Sequence, residues 1–87
     1  MADDADDESV LGELLEDLAR ALVDHPDAVK VEELEEDDGT IVLELSVDDD
    51  DYGQIIGRGG RTAAALRTVV KAVGQRENRR VLVDIVD

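Results

Sequence analysis

Cysteine is absent from this sequence of 87 residues, which also holds a single proline, a single histidine and a single aromatic residue, Tyr52. The lack of cysteine excludes a disulfide framework and a thiolate metal site. With one aromatic side chain, the core has to be built from aliphatic residues. A chain of this length has room for one compact domain.

Long apolar segments are missing as well. No apolar run approaches the roughly 20 residues needed to cross a bilayer. The start of the chain is acidic, whereas a secretory leader is basic and then apolar. These features predict a cytoplasmic protein that makes no contact with a membrane.

The residues give little support to catalysis. His25 is the only histidine, so no pair of nucleophile and base can be assembled, and a role at a helix end is favoured for it. Neither a phosphate-binding G-x-x-x-x-G-K-[ST] loop nor the spaced glycines of a dinucleotide site are present. The acidic run Asp48–Asp51 fails the calcium-loop pattern, because Tyr52 and Gly59 stand where an acid and a glutamate are needed. We therefore predict no enzyme, no cofactor and no metal site, and interpret the run as helix capping and solvation.

The net charge of −15 is divided unevenly along the chain. Residues 1–53 carry 21 acidic and 2 basic side chains, whereas residues 54–81 carry 7 basic and 1 acidic. The local field steers a charged ligand more than the total charge does, so residues 54–81 keep the capacity to attract an anion. The acidic surplus fits a halophilic-like solvation coat for a salt-rich cytoplasm, a disordered acidic tail or an acidic partner surface.

Apolar residues repeat with a helical period after Ser9, which is a favourable N-cap residue. Pro26 is expected to stop this first helix. Residues 1–8 are polar and acidic, so we predict that they form a disordered leader. The predicted apolar face of the helix comprises Val10, Leu11, Leu14, Leu15, Leu18 and Leu22.

Two strands are predicted after the first helix, and a third at the end of the chain. The first begins near Val29 and is expected to be irregular or to end early, because Leu34 breaks its alternation. Residues 40–47 alternate cleanly, and the intervening Asp38-Gly39 pair is a hairpin signal. The last strand is predicted over residues 80–86.

Two helices are predicted between the second and third strands. A short helix over residues 52–56 ends at a glycine-rich loop, and a longer one runs from Arg61 to Val73, with Gly74 as its stop. The order α-β-β-α-α-β predicts an α+β fold, in which a right-handed crossover makes the second and third strands parallel. Three helices then cover one face of a three-stranded mixed sheet. The predicted buried face of the longer helix comprises Leu66, Val69, Val70 and Val73.

The loop Gly57-Arg58-Gly59-Gly60 is the most informative stretch. Its glycines permit a sharp turn and let a ligand approach without hindrance from a Cβ atom. The helix that follows presents free N–H groups and the positive end of its dipole, and Arg58 and Arg61 add charge. A phosphate backbone is the obvious guest. A simple turn between helices is the alternative, but a G-x-x-G loop between two helices is also where a KH domain clamps about four nucleotides.

From about Leu11 to Val86, the chain resembles the small bacterial KH-domain RNA-binding proteins of the KhpA type. The matching stretches are residues 21–26, 53–63 and 65–72. The resemblance implies a type II KH fold for residues 9–87, binding of single-stranded RNA and no catalysis. It also implies pairing, as a homodimer or as a heterodimer with another KH protein. The acidic leader and the run Asp48–Asp51 carry more negative charge than we expect of this family. This charge is expected to affect RNA affinity at low salt.

The resemblance divides the predicted RNA-binding residues into three groups. The loop holds the RNA backbone, either Ile55 or Ile56 lines a shallow apolar groove together with Ala63 or Ala64, and three basic residues of the following helix reach phosphates. The edge of strand 80–86 offers backbone groups to bases. The residues assigned to RNA binding are Gly57, Arg58, Gly59, Gly60, Arg61, Ile56, Ala64, Arg67 and Lys71.

Less specific interpretations stand beside these assignments. Arg67 and Lys71 also fit a solvated helix face. One of Ile55 and Ile56 is expected to lie in the core. The remaining arginines either neutralise the acidic surface or bind phosphate farther from the loop. They are Arg76, Arg79 and Arg80.

Two functions from different classes follow. The first is sequence-tolerant binding of single-stranded RNA, as in a post-transcriptional regulator or an RNA chaperone. Base selectivity is expected to be weak because aromatic stacking platforms are absent. The second is a protein-interaction module that uses a KH fold as a dimerisation platform with little RNA binding, which the acidic surface and the small size favour.

Overall fold

The computed structural model describes residues 9–87, so the predicted leader over residues 1–8 lies outside the described part of the chain. Three helices and three strands follow one another in the predicted order. They are α1 (Val10–Leu22), β1 (Lys30–Glu35), β2 (Ile41–Ser46), α2 (Tyr52–Ile56), α3 (Arg61–Arg76) and β3 (Val81–Ile85). Across residues 9–87, none of the helices combines the length and the apolar character that crossing a membrane requires.

The central strand of the sheet is β2, which is antiparallel to β1 and parallel to β3. This confirms the predicted hairpin and crossover. The expectation that Leu34 would disturb β1 is wrong, since the pairing is continuous from Lys30 to Glu35. Leu34 lies opposite Val42 and is 51% exposed. Backbone pairing with β2 holds this edge strand in register, so alternate burial of its side chains is not required.

The helices cover one face of the sheet, as predicted. On β2, the side chains that face the helices are fully buried, while those between them are only partly covered. Burial of this aliphatic face removes apolar surface from water and is the main favourable term in folding. The core brings together Leu11, Leu15 and Ala19 of α1, Ile41, Leu43 and Leu45 of β2, Ile55 of α2, Leu66 and Val70 of α3, and Val81 and Val83 of β3.

Helix α1 begins where the sequence predicts and ends earlier. The Ser9 hydroxyl accepts a hydrogen bond from the N–H of Gly12 at 3.1 Å, which caps the helix. The helix ends at Leu22, and Pro26 begins a short 3₁₀ turn instead of stopping the helix. Val10, predicted to belong to the apolar face, is 64% exposed because it lies at the open first position of the helix.

Helix α3 continues past the glycine that was expected to end it. Gly74 is buried inside the helix, which runs to Arg76. A Cβ atom at Gly74 would lie 2.7 Å from Cγ2 of Val81, so glycine is needed for close packing of α3 against β3. The residue with positive φ after the helix is Asn78. Val69, predicted to be buried, is 43% exposed.

Candidate nucleic-acid interface

The loop between α2 and α3 is a tight turn in which all three glycines have positive φ. The φ values of Gly57, Gly59 and Gly60 are 78°, 63° and 79°. The N–H of Gly60 donates to the carbonyl of Gly57 at 3.0 Å and that of Arg61 to the carbonyl of Arg58, while left-handed Gly59 and Gly60 make the turn irregular. Other residues rarely adopt this backbone conformation, so the glycines are explained by the shape of the turn.

The glycines differ in the space around them. A Cβ atom at Gly57 would lie 2.7 Å from Cβ of Thr62 and 2.8 Å from its backbone nitrogen. At Gly59 and Gly60, nothing lies within 4 Å of the corresponding position. The turn is therefore closed at its first glycine, where it packs on α3, and open over the next two, where a ligand can approach.

Charge is concentrated at the open side of the turn. Arg58 is exposed there, next to Gly59. The 16-residue helix α3 begins directly after Gly60, so its first N–H groups and the positive end of its dipole lie at the turn. Backbone donors, a helix dipole and an arginine in one place form an anion-binding arrangement.

The residues predicted to line an apolar groove divide as expected. Ile55 is fully buried in the core, whereas Ile56 is only partly buried. Ala63 is buried and Ala64 is exposed. Ile56 and Ala64 are thus the two of these four residues that are accessible beside the glycine turn.

The three basic residues of α3 that are predicted to reach phosphates have different surroundings. Arg61 lines an apolar groove between α1 and α3, together with Leu18 and Leu22. Lys71 lines a different groove between α3 and β3. Ten residues separate Arg61 from Lys71 and bring the two about 80° apart around the axis of α3, so they line different grooves while the prediction that they reach phosphates stays a prediction.

Arg67 contacts the free edge of β3. The N–H of Ile41 donates to the carbonyl of Arg80, and the N–H of Val86 donates to the carbonyl of Leu45, so even-numbered residues face β2. The backbone groups of odd-numbered residues consequently point to the free edge. There, Nε of Arg67 donates to the carbonyl of Val83 at 3.2 Å. The predicted edge for bases is therefore present, and one of its acceptors is covered by a guanidinium group.

A buried carboxylate stands directly before α2, within the acidic run for which the sequence predicts only helix capping and solvation. Asp51 is 1% exposed and accepts hydrogen bonds from the backbone N–H groups of Asp24 and His25, at 3.3 and 2.9 Å. Its Oδ2 also lies 3.0 Å from Nδ1 of His25. Asp48 does cap, as predicted, by accepting from the N–H of Asp50 at 2.9 Å. Asp51 thus fixes the turn after α1 against the start of α2.

The ionisation of this pair follows from its surroundings. The hydrogen bond to Asp51, with the nearby carboxylates of Asp48 and Asp51, raises the pKa of His25 above 6.5. Burial by itself would raise the pKa of Asp51, but the hydrogen bonds from His25 and from the two backbone N–H groups outweigh it and lower that pKa below 3.8. Both shifts favour the charged pair.

Comparison with known proteins identifies the family. Residues 12–85 match the family model described as KhpA/KhpB, KH domain. The protein named RNA-binding protein KhpA in Halalkalibacterium halodurans is 55% identical over 75 residues, which is 85% of this chain and 96% of that protein. Its namesake in Streptomyces coelicolor is 51% identical over 76 residues, covering 87% of this chain and 95% of the relative. The Aquifex aeolicus namesake is 42% identical over 79 residues, covering 91% and 99%.

Solved structures agree on the fold. Two structures of Era, one of them from Aquifex aeolicus, match with a TM-score of 0.58 each at 20% and 22% sequence identity. The matches cover 87% and 86% of this chain but only 29% and 28% of the Era chains. At such identities the likeness shows the fold alone. The family match and the relatives, which are similar over nearly their whole length, show that this chain belongs to the KhpA/KhpB family of KH-domain proteins.

Proposed function

We propose that residues 9–87 form one type II KH domain that binds single-stranded RNA and catalyses no reaction. The loop of Gly57, Arg58, Gly59 and Gly60 holds the sugar-phosphate backbone, and Ile56 and Ala64 contact bases beside it. The relatives in this family carry the name RNA-binding protein, which supports the ligand class. A cytoplasmic post-transcriptional regulator or RNA chaperone is the role that fits such an activity.

The observation that carries the proposal is the open half of the glycine turn. Gly59 and Gly60 have free space where side chains would stand, directly before the N-terminus of α3. Phosphate oxygens can approach the backbone and the positive end of the α3 dipole closely there, and Arg58 adds a positive charge. Contacts of this kind carry no sequence information, so we expect binding that tolerates many sequences.

The test reverses the charge of the loop while preserving its shape. Aspartate tolerates the left-handed conformation of Gly59 better than most residues, and no atom lies within 4 Å of the position of its Cβ. The double variant R58D/G59D should therefore keep the circular dichroism of the wild type and lose binding to single-stranded RNA in a gel shift. Wild-type affinity should fall with added salt, because bound phosphates release counterions.

A charge-matched control separates the loop from the general acidity of the protein. The variant R20D/A21D adds the same negative charge on α1, where both positions are exposed. It should weaken RNA binding far less than R58D/G59D does. Unchanged affinity of the loop variant, or equal losses in the two variants, would refute the loop as the binding site.

A second function, pairing with another protein, is favoured by the groove between α1 and α3. Leu22 and Val69 leave 39% and 43% of their surfaces exposed, and both line this groove together with Ala65. Exposed apolar surface in a groove is typical of interaction sites. We propose that it pairs two copies of this chain, with a heterodimer containing another KH protein as the competing arrangement.

Light scattering after size-exclusion chromatography tests the self-pairing. The wild type should elute as a dimer at micromolar concentrations, and Val69→Asp should elute as a monomer with unchanged circular dichroism. A wild type that is monomeric at every concentration removes the homodimer. Comparing RNA affinity of V69D and wild type then shows whether pairing and RNA binding are separate functions.

A further inference from the structure

A basic groove lies at the opposite end of α3 from the glycine turn. It is open to solvent, has a volume of about 280 Å³ and runs between the C-terminal half of α3 and the start of β3. We call it the distal groove. Its lining residues are Lys71, Gln75, Arg79, Arg80, Val81 and Leu82.

The composition of the distal groove suits an anionic strand. Three of its six lining residues are cationic, and none is acidic, in a chain whose net charge is −15. Gln75 adds an amide that can donate or accept, and the lining also includes the aliphatic residues Val81 and Leu82. Phosphates, sugars and bases of a nucleic acid need this combination of charge, hydrogen bonding and apolar contact.

The distal groove lies along the path that leads away from the glycine turn. Helix α3 rises about 1.5 Å per residue, so the ten residues from Arg61 to Lys71 span about 15 Å along its axis. Arg67 stands between the two sites, on the same side of α3 as the edge of β3. A strand held at the turn and running along this edge therefore meets Lys71 and then the two arginines.

We propose that the distal groove is a second phosphate-binding site, which holds nucleotides of the same RNA beyond those clamped at the loop. This inference rests on the proposed function. The groove extends the contact with RNA past the roughly four nucleotides that a KH loop holds. Its ligand class is the phosphodiester backbone, recognised by charge and without selection of bases.

Two acidic residues lie near Arg79 and Arg80, outside the distal groove, and are expected to weaken its affinity for RNA. Arg79 and Arg80 also line a neighbouring polar cleft that contains Glu35 and Asp38. Nη2 of Arg79 lies 3.9 Å from Oε1 of Glu35, and both side chains are exposed. An exposed pair at this distance contributes little, so Arg79 can turn to a phosphate at small cost. Removal of the Glu35 charge should strengthen binding of a long RNA, because it removes a carboxylate that repels phosphates bound at Arg79.

The experiment compares two RNA lengths by fluorescence anisotropy. An oligouridylate of four nucleotides occupies the loop alone, while one of ten nucleotides reaches the distal groove. The variant R79Q/R80Q should bind the short RNA like the wild type and the long RNA about tenfold more weakly at low salt. The slope of log affinity against log salt for the long RNA should become shallower by about 1.4, at about 0.7 per lost phosphate contact.

Matched variants control for charge and for the statistical advantage of a long strand. Arg76 is exposed at the end of α3 and lines neither cavity, so R76Q should leave both affinities near wild type. E35Q should bind the long RNA more tightly than E36Q, which removes an equal charge outside both cavities. A longer RNA can bind the loop in more positions along its strand, and this advantage is the same for every variant. Differences between variants in their affinity for the long RNA therefore report on the distal groove.

The outcomes separate the two proposals. Wild-type affinity of R79Q/R80Q for the long RNA, or an equal loss for both lengths, overturns the distal site and leaves the loop proposal standing. An equal loss of long-RNA affinity per removed charge in R76Q and R79Q/R80Q also overturns it. The RNA would then respond to the overall charge of the surface and not to a defined site. Failure of the wild type to bind either RNA overturns the proposed function and the distal site together.

Discussion

The buried carboxylate of Asp51 lies 3.0 Å from the imidazole of His25, across 26 residues of sequence. The same carboxylate accepts the backbone N–H groups of Asp24 and His25, which belong to the turn after α1. One side chain thus ties the end of α1 to the start of α2, the helix that leads into the glycine turn. A buried carboxylate with these hydrogen bonds is a fixed structural support, whereas the other acids of its run are partly or fully exposed.

The pair predicts that stability changes with pH in the neutral range. The pKa of His25 is raised in the folded protein, so the folded state holds a proton that the unfolded state releases near pH 6.5. The free energy of unfolding should therefore be highest below about pH 6.5 and fall as the pH rises through the raised pKa. Thermal melts from pH 5 to pH 9 measure this directly, and His25 is the only histidine in the sequence.

The variant His25→Gln provides the control. It keeps a polar side chain and the backbone N–H to Asp51, but it removes the titrating group, so its melting temperature should vary less over the same range. At acid pH, the wild type should lose stability as the pH falls through the lowered pKa of Asp51, and the variant should lose it at a higher pH because the side-chain hydrogen bond and charge of His25 no longer lower that pKa. Identical neutral-range profiles for the variant and the wild type would show that the imidazole does not stabilise the fold.

The glycines of the turn predict unequal costs of substitution. Gly59→Ala places a Cβ atom in open space and pays only for the left-handed conformation, about 1–2 kcal/mol. Gly57→Ala places alanine at φ 78° and ψ 169°, a conformation open almost only to glycine, and also brings its Cβ against Cβ and the backbone nitrogen of Thr62. Chemical denaturation should therefore show a clearly larger loss of unfolding free energy for G57A. Equal losses of unfolding free energy in the two variants would mean that Thr62 moves away from the new Cβ atom without cost.

Two helical glycines predict effects of opposite sign. Gly53 in α2 has nothing within 4 Å of a Cβ position, so Gly53→Ala should stabilise the protein by about 0.5–1 kcal/mol through helix propensity. Gly74 in α3 faces Cγ2 of Val81 at 2.7 Å and the carbonyl of Arg79 at 3.1 Å. Gly74→Ala should therefore destabilise it despite the same gain in propensity. Denaturation midpoints that shift in the same direction for both variants would contradict the packing at Gly74.

Element order and sheet topology could be predicted from the sequence because local signals agree with the fold. Ser9 caps α1, Gly39 with φ 89° closes the hairpin, and residues 41–46 alternate with a buried face. Gly74 misled the prediction because a glycine that ends a helix and one that permits close packing look alike in sequence. Only the position of β3, set by tertiary contacts, distinguishes them.

The candidate site was predicted in part for the same reason. The glycine turn is a local motif, and Ile55 and Ile56 divide between core and surface by the geometry of a short helix. Asp51 is one of four consecutive aspartates, and nothing in the sequence marks it as the buried one. The distal groove joins residues on α3 and β3 whose proximity depends on how the two elements pack.

The hydrogen bond from Arg67 to Val83 predicts a weak base preference within binding that otherwise tolerates many sequences. With Arg67 in place, the edge of β3 presents a guanidinium where a bare carbonyl would otherwise accept a hydrogen bond. Bases rich in acceptors, such as uracil, should therefore be favoured over bases that offer an amino group. Arg67→Leu uncovers the carbonyl, so affinity for oligoadenylate and oligocytidylate should rise relative to oligouridylate. Lys71→Leu, which removes an equal charge from the same helix without touching this bond, should weaken all of these RNAs alike. If R67L instead behaves as K71L does in anisotropy titrations, Arg67 acts on the RNA through its charge alone.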